Sequence, residues 1–332
     1  MYLYLLQMTM SPPSSALLVA AGLAGSLVLY ALTGGADYGG GVWDLLARGP
    51  RALAHRKLIE HAIGPIWEAN HVWLILVVVV LFTAFPPAFA ELSTYLHVPL
   101  TLVLIGIVLR GSAFVFRAYD PRPSALERQW EQIFAIASLV TPFLLGVIAG
   151  AIMSGRVRSE NGFWHSWIGL FPFLVGLFTI ALFAYLAAVY LILETEEIPL
   201  REEFRKRALL SGLCVVILQL IVFGGLQRVS PVIGERLRAW PLLLSAVLFT
   251  SGAAWALWTR NYFTARAFAI AQVATVVLGW LIGQFPFLIV PDFTIANSAA
   301  PVATLRALLT ALICGALVLF PSFFYLYRVF KR

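Results

Sequence analysis

The sequence predicts an all-α integral membrane protein with about nine transmembrane helices. Hydrophobic residues make up 61% of the 332 residues and charged residues only 12%, whereas charged residues are about a quarter of an ordinary soluble domain. The mean hydropathy is +0.89, and apolar runs long enough to cross a bilayer recur along the chain. These runs lie at 16–34, 70–90, 97–116, 132–153, 168–192, 208–226, 240–258, 266–290 and 302–327.

The distribution of basic residues predicts the orientation of these helices. Nine crossings place 17 Lys and Arg residues in one set of alternate connecting segments and 5 in the other. Because basic residues are enriched in cytoplasmic loops, we expect the N-terminus outside and the C-terminus in the cytoplasm. The connecting segments are short, so the whole chain, 1–332, is predicted to be a single transmembrane domain.

The net charge of +7 does not indicate a nucleic-acid-binding protein, because the basic residues are scattered among short loops. A nucleic-acid interface would gather them into one patch. The two cysteines, Cys214 and Cys314, both lie inside predicted spans, and their spacing indicates neither a disulfide framework nor a metal site.

The most informative segment precedes the second apolar run and is rich in polar and aromatic residues. Its notable side chains are Trp67, Glu68, Asn70, His71 and Trp73. An ionisable residue at the edge of a membrane span is a functional candidate, since a charge in the bilayer is costly. Glu68 could instead cap the helix that begins there. If the helix continues through this segment, Glu68 and His71 share one face and could pass protons through an ordered water.

Two further charged residues lie near the ends of predicted spans. Asp37 follows the first run in a glycine-rich stretch, and an acid in an interfacial loop is the alternative interpretation. Arg110 could anchor the third span by reaching to the lipid interface. The small residues Gly111 and Ser112 beside it favour tight helix packing, so an inward-facing Arg110 paired with Asp37 or Glu68 is a second hypothesis.

The histidines do not predict a metal or haem site. The five histidines are His55, His61, His71, His97 and His165, and they show no paired pattern inside a span. Because a haem needs an axial ligand from the protein, we expect this chain alone to bind neither haem nor another metal.

Taken together, these motifs resemble subunit II of the cytochrome bd family of quinol oxidases, including its cyanide-insensitive members. The resemblance lies in residues 35–39 and in the run from Ile63 to Ala90. Within that run the matching residues are Pro65, Trp67, Glu68, Asn70, His71, Val72, Trp73, Leu74, Phe82, Ala84, Phe85 and Pro86. Further matches are Leu109 to Gly111, Phe114, Arg117, Phe285, Pro286, the stretch 294–301, Thr304, Leu305 and the ending 321–330.

The resemblance implies a multi-pass subunit in the cytoplasmic (inner) membrane of a bacterium or archaeon. It implies two four-helix bundles, about 16–153 and 164–290, plus a final helix at about 302–327. It also implies a partner, subunit I, that carries haem b and haem d, oxidises quinol and reduces oxygen in an electrogenic reaction. Membrane lipid surrounds such a complex, and a small accessory subunit can join it.

Within the family, Glu68 and Asp37 occupy acidic positions of a hypothesised proton path, with Trp67, Asn70, His71, Trp73 and Arg110 as supporting residues. Many members carry Asp at the position of Glu68, an acid at the position of Gly34, and Gln at the position of His71. The sequence therefore predicts a subunit that scaffolds subunit I and supplies protons from the cytoplasm, while not being catalytic by itself. A purely structural subunit and, less favoured, an independent secondary transporter are the alternatives.

Overall fold

A computed structural model describes residues 13–63, 67–119, 125–158, 163–231, 233–234 and 240–330 of the chain. The first half contains α1 (Ser14–Leu45), α2 (Ala52–Ile63), α3 (Trp67–Ala84), α4 (Pro86–Tyr95), α5 (His97–Tyr119) and α6 (Ala125–Ser154). A 3₁₀ turn, Phe163–Ser166, precedes α7 (Leu170–Leu193), α8 (Ile198–Val229), α9 (Trp240–Trp258) and α10 (Tyr262–Gln284). A small antiparallel hairpin, β1 (Phe287–Ile289) and β2 (Phe293–Thr294), leads into α11 (Ile295–Ser298) and α12 (Val302–Phe330).

The predicted all-α, polytopic class is confirmed. In the described part of the chain, seven helices are long and apolar enough to cross a membrane, or eight if α3 and α4 form one bent span. Helix α9 includes a shorter apolar segment, Leu244–Trp258. The total of nine crossings, the orientation and the division into two bundles stay predictions.

The first helix is longer than the sequence predicted. We expected a span over 16–34 with Asp37 beyond its end, but α1 continues through the glycines to Leu45. The glycines allow this part of α1 to pack closely against α7, where a Cβ at Gly39 would overlap the Phe183 carbonyl oxygen. The interpretation of Asp37 as a loop acid is therefore wrong.

The predicted single helix over 70–90 is also wrong. The direction of the chain bends by 117° between α3 and α4. The break lies at Phe85, whose φ of −133° and ψ of 55° are not helical. Pro86 explains the break, because a proline disfavours the helical conformation in the residue before it, while proline itself is well suited to begin the next helix.

Helix α7 forms the centre of the protein. In its most apolar stretch of 18 residues, 72% of the residues are buried. The helix packs against α1, α6, α8 and α10. By contrast, no residue in the most apolar 18-residue stretch of α12 is buried. Helix α12 thus packs at the edge of the structure, against α1 and α3.

Candidate functional site

Asp37 of α1 and Asn70 of α3 form the centre of a buried polar site. Both residues are buried, with exposures of 5% and 2%. The Asn70 side-chain amide donates a hydrogen bond to Asp37 Oδ2. Because an unpaired polar group costs free energy when buried, this hydrogen bond helps to hold the carboxyl group in place.

Arg110 of α5 reaches the same site and is the largest fully buried side chain described. Its Nη2 donates to the Asp37 backbone oxygen at 3.0 Å, and its Nε donates to Ser138 Oγ at 3.1 Å. The guanidinium also lies over the rings of Tyr38, at 4.9 Å, and Phe134, at 5.1 Å. The structure thus agrees with the inward-facing hypothesis for Arg110, and its hydrogen bond to Asp37 is made through the main chain.

Small residues allow Arg110 to approach this site. Gly106, one turn before Arg110 on α5, lies so close to the Thr141 hydroxyl of α6 that a Cβ would overlap it. Helix α5 therefore packs directly on α6, and Arg110 contacts both Ser138 of α6 and Asp37 of α1.

Aromatic side chains line the other side of the site. The Tyr30 hydroxyl donates to the Tyr38 hydroxyl at 3.2 Å. The imidazole of His71 lies beside both rings, with centroid distances of 6.2 Å to Tyr30 and 6.1 Å to Tyr38. His71 thus belongs to the same cluster as Asp37.

The remaining residues of the predicted motif have different environments. Trp73 is buried and packs on Phe320 and Phe323 of α12, at ring distances of 6.0 and 5.5 Å. It therefore fixes α12 against α3. The backbone of Trp67 and Glu68 begins α3, but their side chains lie outside the part of the chain that the structure describes.

The sequence analysis missed a second charged group, at the Leu45 end of α1. Asp44 is 2% exposed, and its Oδ1 lies 3.9 Å from Arg56 Nε of α2. Arg56 Nη1 lies 2.8 Å from Glu131 Oε2 of α6. Asp44 is seven residues from Asp37, which places both on one face of a helix. That spacing was a usable signal once α1 was known to extend so far.

A neighbouring ion-pair network fixes α2 to α8. Glu203 accepts from His55 Nε2 at 2.5 Å and pairs with Arg51 at 2.9 Å. Burial lowers the pKa of His55, and the Arg207 guanidinium near its Nδ1 lowers it further. The buried imidazole is therefore neutral near pH 7 and donates its Nε2 hydrogen to Glu203.

This lowered pKa predicts acid sensitivity of the folded protein. The unfolded chain protonates its histidine near pH 6.5, while the folded protein resists protonation, so the stabilising contribution is complete above that pH and is lost below it. We expect the melting temperature to decrease between about pH 7.5 and about pH 5.5, and His55→Gln to make this decrease smaller. His61→Gln, an exposed position on the same helix, should keep it. An unchanged pH dependence in His55→Gln would contradict this assignment.

No group of three or more His, Cys, Asp or Glu side chains that could hold a metal ion occurs among the residues the structure describes. The buried groups that do occur are a carboxyl, an amide, a guanidinium and hydroxyls. Of these, the carboxyl group and the hydroxyls can bind and transfer protons, while the amide and the guanidinium can only hold them in place by hydrogen bonds.

The fold and the site define a multi-pass helical membrane protein with a buried, charged hydrogen-bonded cluster between its first, third and fifth helices. A sequence model of the cytochrome bd terminal oxidase subunit II family matches residues 15–330. The chain therefore belongs to this family of quinol oxidase subunits. The family implies a partner, subunit I, and haems in that partner.

Individual relatives agree with this assignment. The chain is 23% identical over 340 residues to a Bacillus subtilis protein provisionally named cytochrome bd menaquinol oxidase subunit II, covering 96% of both chains. It is 26% identical over 213 residues to cytochrome bd-I ubiquinol oxidase subunit 2 of Escherichia coli, covering 60% of this chain and 55% of the relative. Its fold is similar to a chain of bd oxidase from Geobacillus thermodenitrificans, with a TM-score of 0.77, 22% identity and coverage of 96% and 99%.

Proposed function

We propose that this subunit supplies protons to the oxygen-reducing site of its partner, while it also scaffolds that partner. The observation that carries the proposal is the buried Asp37 carboxyl group, held by Asn70 and lying beside Arg110 in the family's polar motif. An ionisable group retained inside a membrane protein at such a cost indicates a functional role.

The local charges suit proton transfer. Arg110 places a positive charge near the Asp37 carboxyl group, through its hydrogen bond to the Asp37 backbone oxygen, and a nearby opposite charge offsets part of the cost of a buried carboxylate. Asn70 and the tyrosine hydroxyls provide fixed dipoles around the carboxyl group. Glu68 lies in the first turn of α3, two residues before Asn70. We assign Glu68 to the same path, either as the group that gives a proton to Asp37 or as the group that receives one from it.

The scaffolding part of the proposal concerns the whole complex. Subunit I would carry haem b and haem d and oxidise quinol, with the protons drawn electrogenically from the cytoplasm. This chain would hold no haem and would not be catalytic by itself. We place the complex in the cytoplasmic membrane among lipids, with room for a small accessory subunit. Family membership favours this function over the secondary transporter.

Asp37→Asn and Glu68→Gln test the proton path. Each removes the ionisable group with almost no change in shape, so we expect quinol-dependent oxygen consumption to fall by about 100-fold, the scale of a lost acid or base. The redox difference spectrum of the purified complex should retain its haem bands. Turnover is measured per haem with a soluble quinol.

Glu91→Gln provides the matched control. Glu91 lies on α4 and pairs with Arg158 at 3.6 Å, at the other end of the helices from Asp44. This variant should keep normal turnover. If Asp37→Asn and Glu68→Gln assemble and both consume oxygen at the normal rate, the subunit is structural only. In that case substitutions in the packing around Trp67 or Gly111 should lower haem content instead.

A further inference from the structure

Two arginine bridges join α1 to α6. The buried bridge consists of Asp37, Arg110 and Ser138, in which Arg110 contacts both other residues. The terminal bridge consists of Asp44, Arg56 and Glu131, in which Arg56 lies 3.9 Å from Asp44 and 2.8 Å from Glu131. The arginines come from two different helices, α5 and α2, but the bridged residues lie on α1 and α6 in both cases.

The spacing of the two bridges is the same on both helices. Asp37 and Asp44 are seven residues apart on α1, and Ser138 and Glu131 are seven residues apart on α6. Because seven residues are almost two helical turns, each pair lies on one face of its helix, about 10 Å apart. The bridges therefore form two successive levels of one contact between antiparallel helices.

Gly41 lies between the two levels on the same face of α1. The Ser138 side chain occupies the position where a Cβ of Gly41 would stand. Its hydroxyl is therefore located between Asp37 and Asp44 along α1, and it is fully buried. A hydroxyl both donates and accepts hydrogen bonds, so it can pass a proton between groups on either side.

Exposure increases from Asp44 through its bridge partners to the surface. The side chain of Asp44 is 3% exposed, that of Glu131 is 21% exposed and that of Arg56 is 33% exposed. The terminal bridge thus connects the protein surface to a buried carboxyl group. The basic-residue distribution predicts that this end of α1 faces the cytoplasm.

We propose that Asp44 is the proton-loading residue for Asp37, with the Ser138 hydroxyl as the intermediate. A proton from bulk water binds an Asp44 carboxylate oxygen. It then passes to Ser138 Oγ, which releases its own hydroxyl hydrogen towards the Asp37 carboxylate. Asp44 returns to the carboxylate form, Ser138 to the hydroxyl form, and no electron moves.

The proposed route requires bridging water molecules, because hydrogen bonds reach only about 3 Å and the levels are about 10 Å apart. Arg56 keeps a loaded proton mobile, since a guanidinium beside Asp44 favours release of the proton. Glu131, which pairs with Arg56, is the second carboxyl group of the terminal bridge, and the Arg207 guanidinium lies 5.3 Å from the ring of Trp43, the residue before Asp44. The proposal rests on the proton path proposed above for Asp37.

The test uses the intact oxidase complex in liposomes, fully reduced and then mixed with oxygen. Proton uptake is followed with a pH-sensitive dye and haem oxidation by absorbance. We expect Asp44→Asn to slow proton uptake about tenfold, the lower range for a lost proton-transfer group. Its haem content and its anaerobic haem reduction by quinol should be normal. Asp44→Glu should restore uptake, and Glu91→Gln should be normal throughout.

Ser138→Ala is the second variant and leaves the Asp44–Arg56 pair intact. It should slow uptake as Asp44→Asn does, and it keeps the proposal testable if Asp44→Asn does not assemble. Normal uptake in an assembled Asp44→Asn or Ser138→Ala complex would overturn the assignment. Slowed anaerobic haem reduction in Asp44→Asn would also overturn it, since that result indicates a structural defect.

Asp37→Asn, measured in parallel, separates the two proposals. If Asp37→Asn is slow and Asp44→Asn is normal, Asp37 remains the proton carrier and its protons enter elsewhere. If Asp37→Asn takes up protons at the normal rate, the proton path through Asp37 is itself wrong, whatever the behaviour of Asp44.

Discussion

Arg110→Ala is expected to destabilise the subunit by about 2–6 kcal/mol, because a buried acceptor left without its donor costs about 1–3 kcal/mol and Arg110 donates to two buried acceptors. The side chain is 1% exposed and joins α5 to both α1 and α6. Its loss leaves the Asp37 carbonyl oxygen and Ser138 without this donor, and it removes the positive charge beside Asp37. We expect a large decrease in assembled, haem-containing complex, measured from the redox difference spectrum of purified membranes.

Arg110→Lys separates the charge of Arg110 from its shape, and Arg158→Ala is the control at an exposed arginine. Arg110→Lys keeps the charge but cannot donate to two acceptors in a planar fork, so its yield of complex should be intermediate. Arg158→Ala removes an arginine whose side chain is 65% exposed and paired with Glu91. Because exposed pairs contribute about 0–1 kcal/mol, its yield should be normal. Normal yield of Arg110→Ala would show that the buried bridge is not needed for folding.

The sequence predicted the membrane class and four residues of the buried cluster, Asp37, Asn70, His71 and Arg110, but not Tyr30, Tyr38, Ser138 or Asp44. Composition and apolar runs were sufficient for the class, because the bilayer itself fixes the length of a spanning helix. The small residues beside Arg110 indicated close helix packing, and Arg110 is buried. Asp37 and Asn70 were both recognised as candidates, although 33 residues separate them and only the packing of α1 on α3 brings them together.

Other features depend on tertiary contacts that no local pattern contains. Glycines normally weaken helices, so the end of α1 could not be predicted without knowing that α7 packs against it. Asp44 was missed for the same reason, since it appeared to lie in a loop. The bend at Phe85 is different, because Pro86 and Pro87 are a local signal for a break, although the apolar run continues on both sides of them.

The contact of α1 with α7 predicts a second large effect of a single substitution. Gly39→Ala is expected to cause a severe loss of folded subunit, because the added Cβ would overlap the backbone carbonyl of Phe183 and the Ala187 side chain. Backbone cannot move as a flexible side chain can, so the cost should reach or exceed the upper end of about 1–3 kcal/mol for overpacked cores. Yield of haem-containing complex and its thermal inactivation temperature measure the effect.

Gly25→Ala is the matched control, since it makes the same change in the same helix. No atom lies within 4 Å of a Cβ at Gly25, and alanine is favoured over glycine in a helix interior by about 0.5–1 kcal/mol. This variant should therefore be neutral or slightly stabilising. Because helix propensity acts equally at both positions, the difference between the two variants measures the close approach of α1 and α7 alone. Equal behaviour of the two variants would mean that α1 and α7 pack less closely at Gly39, and that another interaction holds the glycine-rich half of α1 in a helix.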